Sequence, residues 1–297
     1  MYLNRFGLSR MPFEISPDPA FFFASSMHRH ALAMLEYAIV AGSELCLVTG
    51  PVGSGKTTLV QCLLARTQGR ETIGVVSNTH RAFGDLLDLI LNAFLIDDGG
   101  TSTAAKFRRF TAFVEAERKL GRRAVLIVDE AQNLSADDLE AIRILTNVNG
   151  AGRKCLQIIL VGQAELREKL RERSLRQLVQ RIPVDVDLKA LTPHDVACYV
   201  AHRLRTVGGD DALFTPASIQ AIARHSRGVP RVVNLLCDLA LVFAYAEHAP
   251  CVTDAIVEDV VREKGTEGLY WLREDGDRVA AVDVDRSDSA APLRDAV

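Results

Sequence analysis

Apolar residues gather in short unbroken runs along the first two-thirds of the chain, at 45–49 (LCLVT), 73–77, 124–128, 156–161 (LQIILV) and 182–188. Between them, at 81–96, 103–120 and 136–148, apolar positions recur at helical spacing instead. A strand covered on both faces reads as a continuous apolar run, and strands alternating with helices imply a parallel sheet with helices on each side. The pattern therefore predicts an α/β fold with a five-stranded parallel sheet. After Leu191 it changes: helical periodicity fills 193–207, 215–226, 230–248 and 253–264, with no strand-like run among them. Thr192-Pro193 and Thr215-Pro216 each offer an N-cap followed by a first-turn proline. A small all-helical second domain is expected. Beyond about residue 273 the chain is rich in Asp, Arg, Ser and Ala with little periodicity, which predicts a disordered tail, and 97–103 (DDGGTST) reads as a flexible loop.

Bulk properties narrow the classes. A chain of 297 residues, 48% hydrophobic and 25% charged, has room for one large domain and a smaller one. Its 35 basic and 38 acidic residues leave a net charge of -3, so no overall field draws it to nucleic acid or an anionic membrane. Basic residues do cluster at Lys106, Arg108, Arg109, Arg118, Lys119, Arg122 and Arg123, a pattern read as a solvated helix face. The cysteines, Cys46, Cys62, Cys155, Cys198, Cys237 and Cys251, lack C-x-x-C spacing and suggest a reducing compartment. The N-terminus MYLNRFGLSR carries charge where a signal peptide needs an apolar core, and no apolar run approaches the roughly 18 residues of a membrane span. A cytoplasmic location is expected.

The most specific local signal is LVTGPVGSGKTTLV. Gly50, Gly55, Lys56 and Thr57 satisfy G-x-x-x-x-G-K-[ST] between an apolar run and a helix-compatible one. Such a loop, here Gly50, Pro51, Val52, Gly53, Ser54, Gly55, Lys56, Thr57 and Thr58, wraps a phosphate with inward amides, and glycine permits the backbone this needs. The following helix N-terminus adds to the anion site. Lys56 supplies positive charge to the β- and γ-phosphates of ATP, and the Thr57 hydroxyl suits Mg²⁺.

A second signal is VLIVDEAQNLS. Parallel strands present their carboxyl ends together, so Asp129 should face the same crevice as the phosphate loop and hold Mg²⁺ through water. Glu130 adds a carboxylate able to orient the attacking water. Gln163 ends the run LQIILVG, where its amide can sense the γ-phosphate or cap the helix that follows. Arg176 and Arg181 are separated by about 140° round a helix of roughly 3.6 residues per turn, so one of them serves as the principal phosphate contact across an interface. Arg181, at the junction with the next strand, is the better placed on sequence; pairing with nearby acids is the alternative for each. Gly228 and Pro230 fix a helix start, so Arg231 beside it can reach the γ-phosphate if the helical domain folds over the crevice.

These segments, with LVGQAEL, LRQLVQRI and GVPRVVNLLCDLAL in the same order, resemble the ExeA (general secretion pathway protein A) group of AAA+ ATPases. The N-terminal stretch FGLSRMPFEISPDPAFFFASSMHRHALAMLEYAI resembles that group's opening signature, and the similarity covers roughly residues 1–265. The resemblance implies a Walker A loop at Gly50 to Thr57, a Walker B pair at Asp129 and Glu130, sensor 1 at Gln163, an arginine finger at Arg181 or Arg176, and sensor 2 at Arg231. Gln163 departs from the Asn, Thr or Ser common across AAA+ proteins. Pro17, Pro19 and Phe21 to Phe23 are expected to line the adenine side or to pack the N-terminal segment.

The implied organisation is an N-terminal segment, 1–40, packing on the ATPase core; a nucleotide-binding α/β domain, 41–191; a helical lid, 192–268; and a tail, 269–297. Longer members carry a membrane helix and a peptidoglycan-binding region after the ATPase. Their absence here likens the chain to short members associated with exosortase/PEP-CTERM and exopolysaccharide loci. The implied function is a Mg²⁺-dependent ATPase that forms a homo-oligomer, a ring or nucleotide-dependent assembly, and acts on a membrane-associated secretion or polysaccharide-export partner, peripherally at the inner membrane. A DNA-transposition ATPase of the TniB or TnsC kind shares the plan and is the alternative, with nucleic acid not favoured by the charge balance.

Overall fold

The computed structural model describes residues 2–15, 18–66, 71–77, 79, 84–97, 102–149 and 154–266. The expected tail at 269–297, residues 98–101 of the expected loop, and Pro17 lie outside the described residues. The sheet has five parallel strands, β1 (Leu45–Thr49), β2 (Glu71–Val76), β3 (Arg123–Val128), β4 (Leu156–Gly162) and β5 (Val184–Asp187), in spatial order β2-β3-β4-β1-β5. β4 thus lies between the strands that carry the two acidic and glycine-rich signals. Thr49 pairs with Gly162 and Val128 with Leu160, so the carboxyl ends of β1, β3 and β4 share one rim.

β4 is buried along its whole length because its two faces serve two cores. Leu156, Ile158 and Leu160 join one apolar cluster, and Ile159 and Val161 the other. Each such side chain contributes roughly 1.5–3 kcal/mol on burial. β5 is shorter than its apolar run, and Asp185 and Asp187 alternate outward on this edge strand. β2 begins at Glu71, two residues before its apolar run.

The lid consists of helices Pro193–Thr206, Pro216–Ser226, Pro230–Ala246 and Asp254–Thr266. Thr192 and Thr215 accept bonds from the amides of Asp195 and Ser218, the capping their sequence pattern predicts. The N-terminal segment divides its allegiance, which corrects the expectation that 1–40 packs on the ATPase core. Helix Ser26–Ala41 does so, through Leu32, Leu35 and Ile39. Tyr2, Leu8, Phe13 and Phe21 instead enter the lid's core. Tyr2 Oη donates to Asp238 Oδ1 at 2.6 Å and Ser9 N to Val207 O at 3.0 Å, so residues 2–15 and 18–23 form a strap bonded to the lid.

Among the described residues no helix is long and apolar enough to cross a membrane. Several cations of the basic cluster are engaged within the chain: Lys106 pairs with Asp88 and Arg122 with Glu117, while Arg109 and Arg123 donate to the carbonyls of Asp97 and Ile39.

Candidate functional site

The glycine-rich loop joins β1 to helix Lys56–Arg66 at the sheet's carboxyl rim. Gly53 has φ 77°, a left-handed backbone, and a Cβ there would come within 2.4 Å of Arg231 Cβ. The absent side chain lets the lid touch the loop: Arg231 N donates to Gly53 O at 3.2 Å. Lys56 is only 7% exposed, and its Nζ donates to the carbonyls of Gly50 and Pro51, each at 2.9 Å. Burial draws its ammonium below the usual lysine range, against the opposing fields of Glu130, Asp129 and Glu165. Ser54 Oγ is buried without a hydrogen-bond partner among the described residues. A buried orphan hydroxyl beside a helix N-terminus fits an anionic oxygen.

At the end of β3, Asp129 Oδ2 accepts from Thr57 Oγ1 at 3.2 Å, and Asp129 Oδ1 accepts from Glu130 N at 2.9 Å. Burial pushes the Asp129 carboxyl up, although both donors and Lys56 pull the other way. Thr57 and Asp129 offer one hydroxyl and one carboxylate. Among the described residues no three His, Cys, Asp or Glu side chains group to hold a metal. That set fits Mg²⁺, which binds through one or two protein oxygens, retained waters and substrate phosphate, and does not fit a protein-caged ion.

Glu130 has φ 52°, an uncommon conformation for a residue with a Cβ, and Thr79 Oγ1 donates to its carbonyl at 2.8 Å. Its carboxylate Oε2 accepts from the side-chain amide of Gln132 and, at 3.4 Å, from that of Gln163. Gln163 occupies the N-cap position of helix Ala164–Leu170 but makes no side-chain cap bond, so its amide faces Glu130.

The two candidate finger arginines differ sharply. Arg181 Nη1 donates to Thr146 Oγ1, its Nη2 to Asn147 Oδ1 at 2.9 Å, and Glu44 lies 3.8 Å away. Arg176 is exposed, with no side-chain hydrogen bond or ion pair to another described residue. The sequence preference for Arg181 thus meets a guanidinium already held by its own chain. Arg231 is exposed at the start of helix Pro230–Ala246 and lines the crevice.

The crevice is a cavity of about 260 Å³ between the loop and a second wall of strap and lid. Phe21 lies between two guanidinium groups, Arg10 at 4.3 Å and Arg203 at 4.4 Å from its ring. Arg203, only 5% exposed, donates to Pro12 O, to Glu14 O at 3.0 Å and to Tyr199 Oη at 2.8 Å, and Tyr199 Oη donates to Asn234 Oδ1 at 2.8 Å. A buried cation satisfied by carbonyls and rings fastens the strap to two lid helices. His28 tethers the other end: its Nε2 meets Ser54 O at 3.2 Å and its Nδ1 meets Ser25 Oγ at 2.8 Å. The carbonyl at Ser54 can only accept, so the Nε2 atom carries the proton, and burial lowers the ring's pKa. Sequence reasoning missed His28, Tyr199, Arg203, Asn234 and Gln132; His28, Gln132 and Asn234 lie within the quoted segments, but no fixed spacing singles them out.

Residues 40–170 match the AAA domain family. The chain is 38% identical over 273 residues to General secretion pathway protein A of Aeromonas hydrophila, a match covering 90% of this chain and 50% of that protein. The chain therefore spans about half the length of this curated relative. Among solved structures it is similar to the ORC2 protein of Aeropyrum pernix in ADPNP-ADP complexes, with TM-score 0.62 and 18% identity over 86% of this chain and 72% of that one. It is also similar to Cdc6p of Pyrobaculum aerophilum, with TM-score 0.63 and 16% identity over 84% of this chain and 71% of that one. At such identities the structural likeness concerns the fold alone.

Proposed function

Starting from the premise that the chain belongs to the AAA ATPases and is similar to general secretion pathway protein A, we propose that it hydrolyses Mg·ATP at interfaces between its own copies. The energy serves assembly or regulation of a secretion or exopolysaccharide-export system of the PEP-CTERM type, at the inner membrane through a partner. The observation that carries the catalytic reading is the meeting, at one sheet rim, of the buried Lys56, the Thr57–Asp129 pair and the pinned Glu130. Lys56 leaves its carbonyl partners for the β- and γ-phosphates, and the loop amides and Ser54 Oγ cradle their oxygens. Thr57 and Asp129 would hold Mg²⁺, which when bound neutralises charge on the phosphates. Glu130 orients the attacking water, and Gln163 reports the γ-phosphate.

Phe21, Phe22, Phe23 and Tyr199 give the base an aromatic wall. Arg231 follows the γ-phosphate from the lid. Of the two candidate fingers we assign Arg176, because its guanidinium is exposed and has no side-chain partner among the described residues, while that of Arg181 is held internally. The DNA-directed alternative has less support, since Lys106, Arg109, Arg122 and Arg123 are engaged within the chain.

A complementation experiment tests the reading. Arg176→Ala and Glu130→Gln proteins should each hydrolyse ATP at least about a hundredfold more slowly than wild type. An equimolar mixture should recover a substantial part of the activity, because one interface then unites an intact Glu130 with a neighbour's Arg176. Wild-type turnover by Glu130→Gln alone would overturn the catalytic assignment, and failure to recover at any mixing ratio would overturn the shared site.

A further inference from the structure

The reading of Glu130 as the water-orienting carboxylate leaves open how its carboxylate is held in aim. The Cα of Glu130 sits in a left-handed turn, off the end of its strand, with three rotatable side-chain bonds beyond it. Gln132, two residues on in the turn Ala131–Asn133, donates from Nε2 to Glu130 Oε2. The opposite end of the same amide is also occupied: Gln163 N donates to Gln132 Oε1 at 3.1 Å. A backbone N–H can only donate, so it fixes which atom of the Gln132 amide is oxygen and turns the NH₂ group toward Glu130.

Further features hold the arrangement. Lys169 Nζ donates to Gln132 O at 2.7 Å and also to Leu134 O, pinning the turn's backbone from helix Ala164–Leu170. At Gly162 a Cβ would lie 3.0 Å from Gln132 Oε1 and 2.8 Å from Leu166 Cδ2, so the bare glycine leaves the amide its space. Gln163 Nε2, at 3.4 Å, is the weaker of the two donors to Glu130 Oε2. When Gln163 turns to a γ-phosphate, Gln132 remains as the one side-chain donor to Oε2 among the described residues.

We infer that Gln132 is a positioning residue: it clamps Oε2 of Glu130 so that Oε1 is presented to the attacking water, whether or not Gln163 is engaged elsewhere. An orienter misplaced by about 1 Å can cost on the order of a hundredfold in rate while leaving ground-state binding untouched.

The test uses the full chain. Gln132→Leu should lower kcat by about tenfold to a hundredfold, with the Kd for Mg·ATP, measured by calorimetry, unchanged within about twofold. Gln132→Glu keeps an acceptor for Gln163 N and the side chain's volume but removes the donor, so it should lose kcat similarly; it serves if the leucine variant folds poorly. In a Glu130→Gln background, Gln132→Leu should cause no further loss in single-turnover hydrolysis, because both residues act through one carboxylate. Wild-type kcat in both Gln132 variants, a gain in kcat, or the same fractional loss with and without Glu130 would each overturn the inference. If Glu130→Gln itself hydrolyses ATP normally, the failure lies in the catalytic reading of Glu130 instead.

Discussion

The two walls of the crevice are built on different principles. The phosphate wall comes from two short segments, 50–58 and 129–130, carried to one rim by parallel strands whose register leaves little choice. The base wall is gathered from the strap, helix Ser26–Ala41 and two lid helices, and its central bond joins Arg203 to Pro12 across 191 residues of sequence. One wall belongs to the sheet's body, whereas most of the other, helix Ser26–Ala41 excepted, belongs to the lid and strap. A nucleotide bound as proposed would be gripped by both bodies at once, which is how its presence would bias their angle.

The sharpest way to separate the walls is to remove each in turn. Lys56→Ala should abolish measurable binding of ATP and of inorganic tripolyphosphate alike in calorimetry, a loss of at least about a hundredfold, since both ligands need the ammonium. Retained tripolyphosphate binding would mean that the phosphate wall has been misread. Arg203→Met leaves Pro12 O, Glu14 O and Tyr199 Oη without their donor and loosens the strap. ATP affinity should fall by about tenfold and tripolyphosphate affinity should not change, because only the nucleoside touches the base wall. An equal loss for both ligands would erase the distinction.

The smallest effect concerns the tether between the walls. Burial lowers the pKa of His28, so the unfolded chain takes up this proton first as the pH falls. The stability the neutral ring contributes is complete above the ordinary histidine value of 6.5 and declines as the pH drops from there toward the folded-state pKa. Thermal melts of His28→Gln should therefore show a flatter pH dependence than wild type below that point, while above it the two curves should run parallel. Identical slopes across the whole range would mean that His28 does not titrate with folding.

Legibility in the sequence followed the same division. The strands were visible because β4 and its neighbours are buried on both faces and so read as unbroken apolar runs. The lid helices announced themselves through Thr192-Pro193 and Thr215-Pro216. Walker-type residues stood out because phosphate chemistry demands particular side chains at fixed spacing. Nothing in the spacing of Phe13 and Phe21 says which of two cores receives them, and they joined the lid. Arg181 looked exposed on sequence because its partners Thr146 and Asn147 lie at the end of a different helix. Gln132 carries no periodic signature, since its role comes from a two-residue offset and a bare glycine on the next strand.

The strap has a mechanical consequence. The backbone passes between lid and sheet twice: at 23–25, where Ser25 caps helix Ser26–Ala41, and at 188–192, where Leu188 N bonds to Thr49 O and Leu191 N to Gly228 O. A body moored at one point can tumble in any direction, whereas one moored at two can only turn about the line joining them. Both moorings lie beside the glycine-rich loop, so that line runs past the proposed phosphate site, and even slight rotation there would be magnified at the lid's far end.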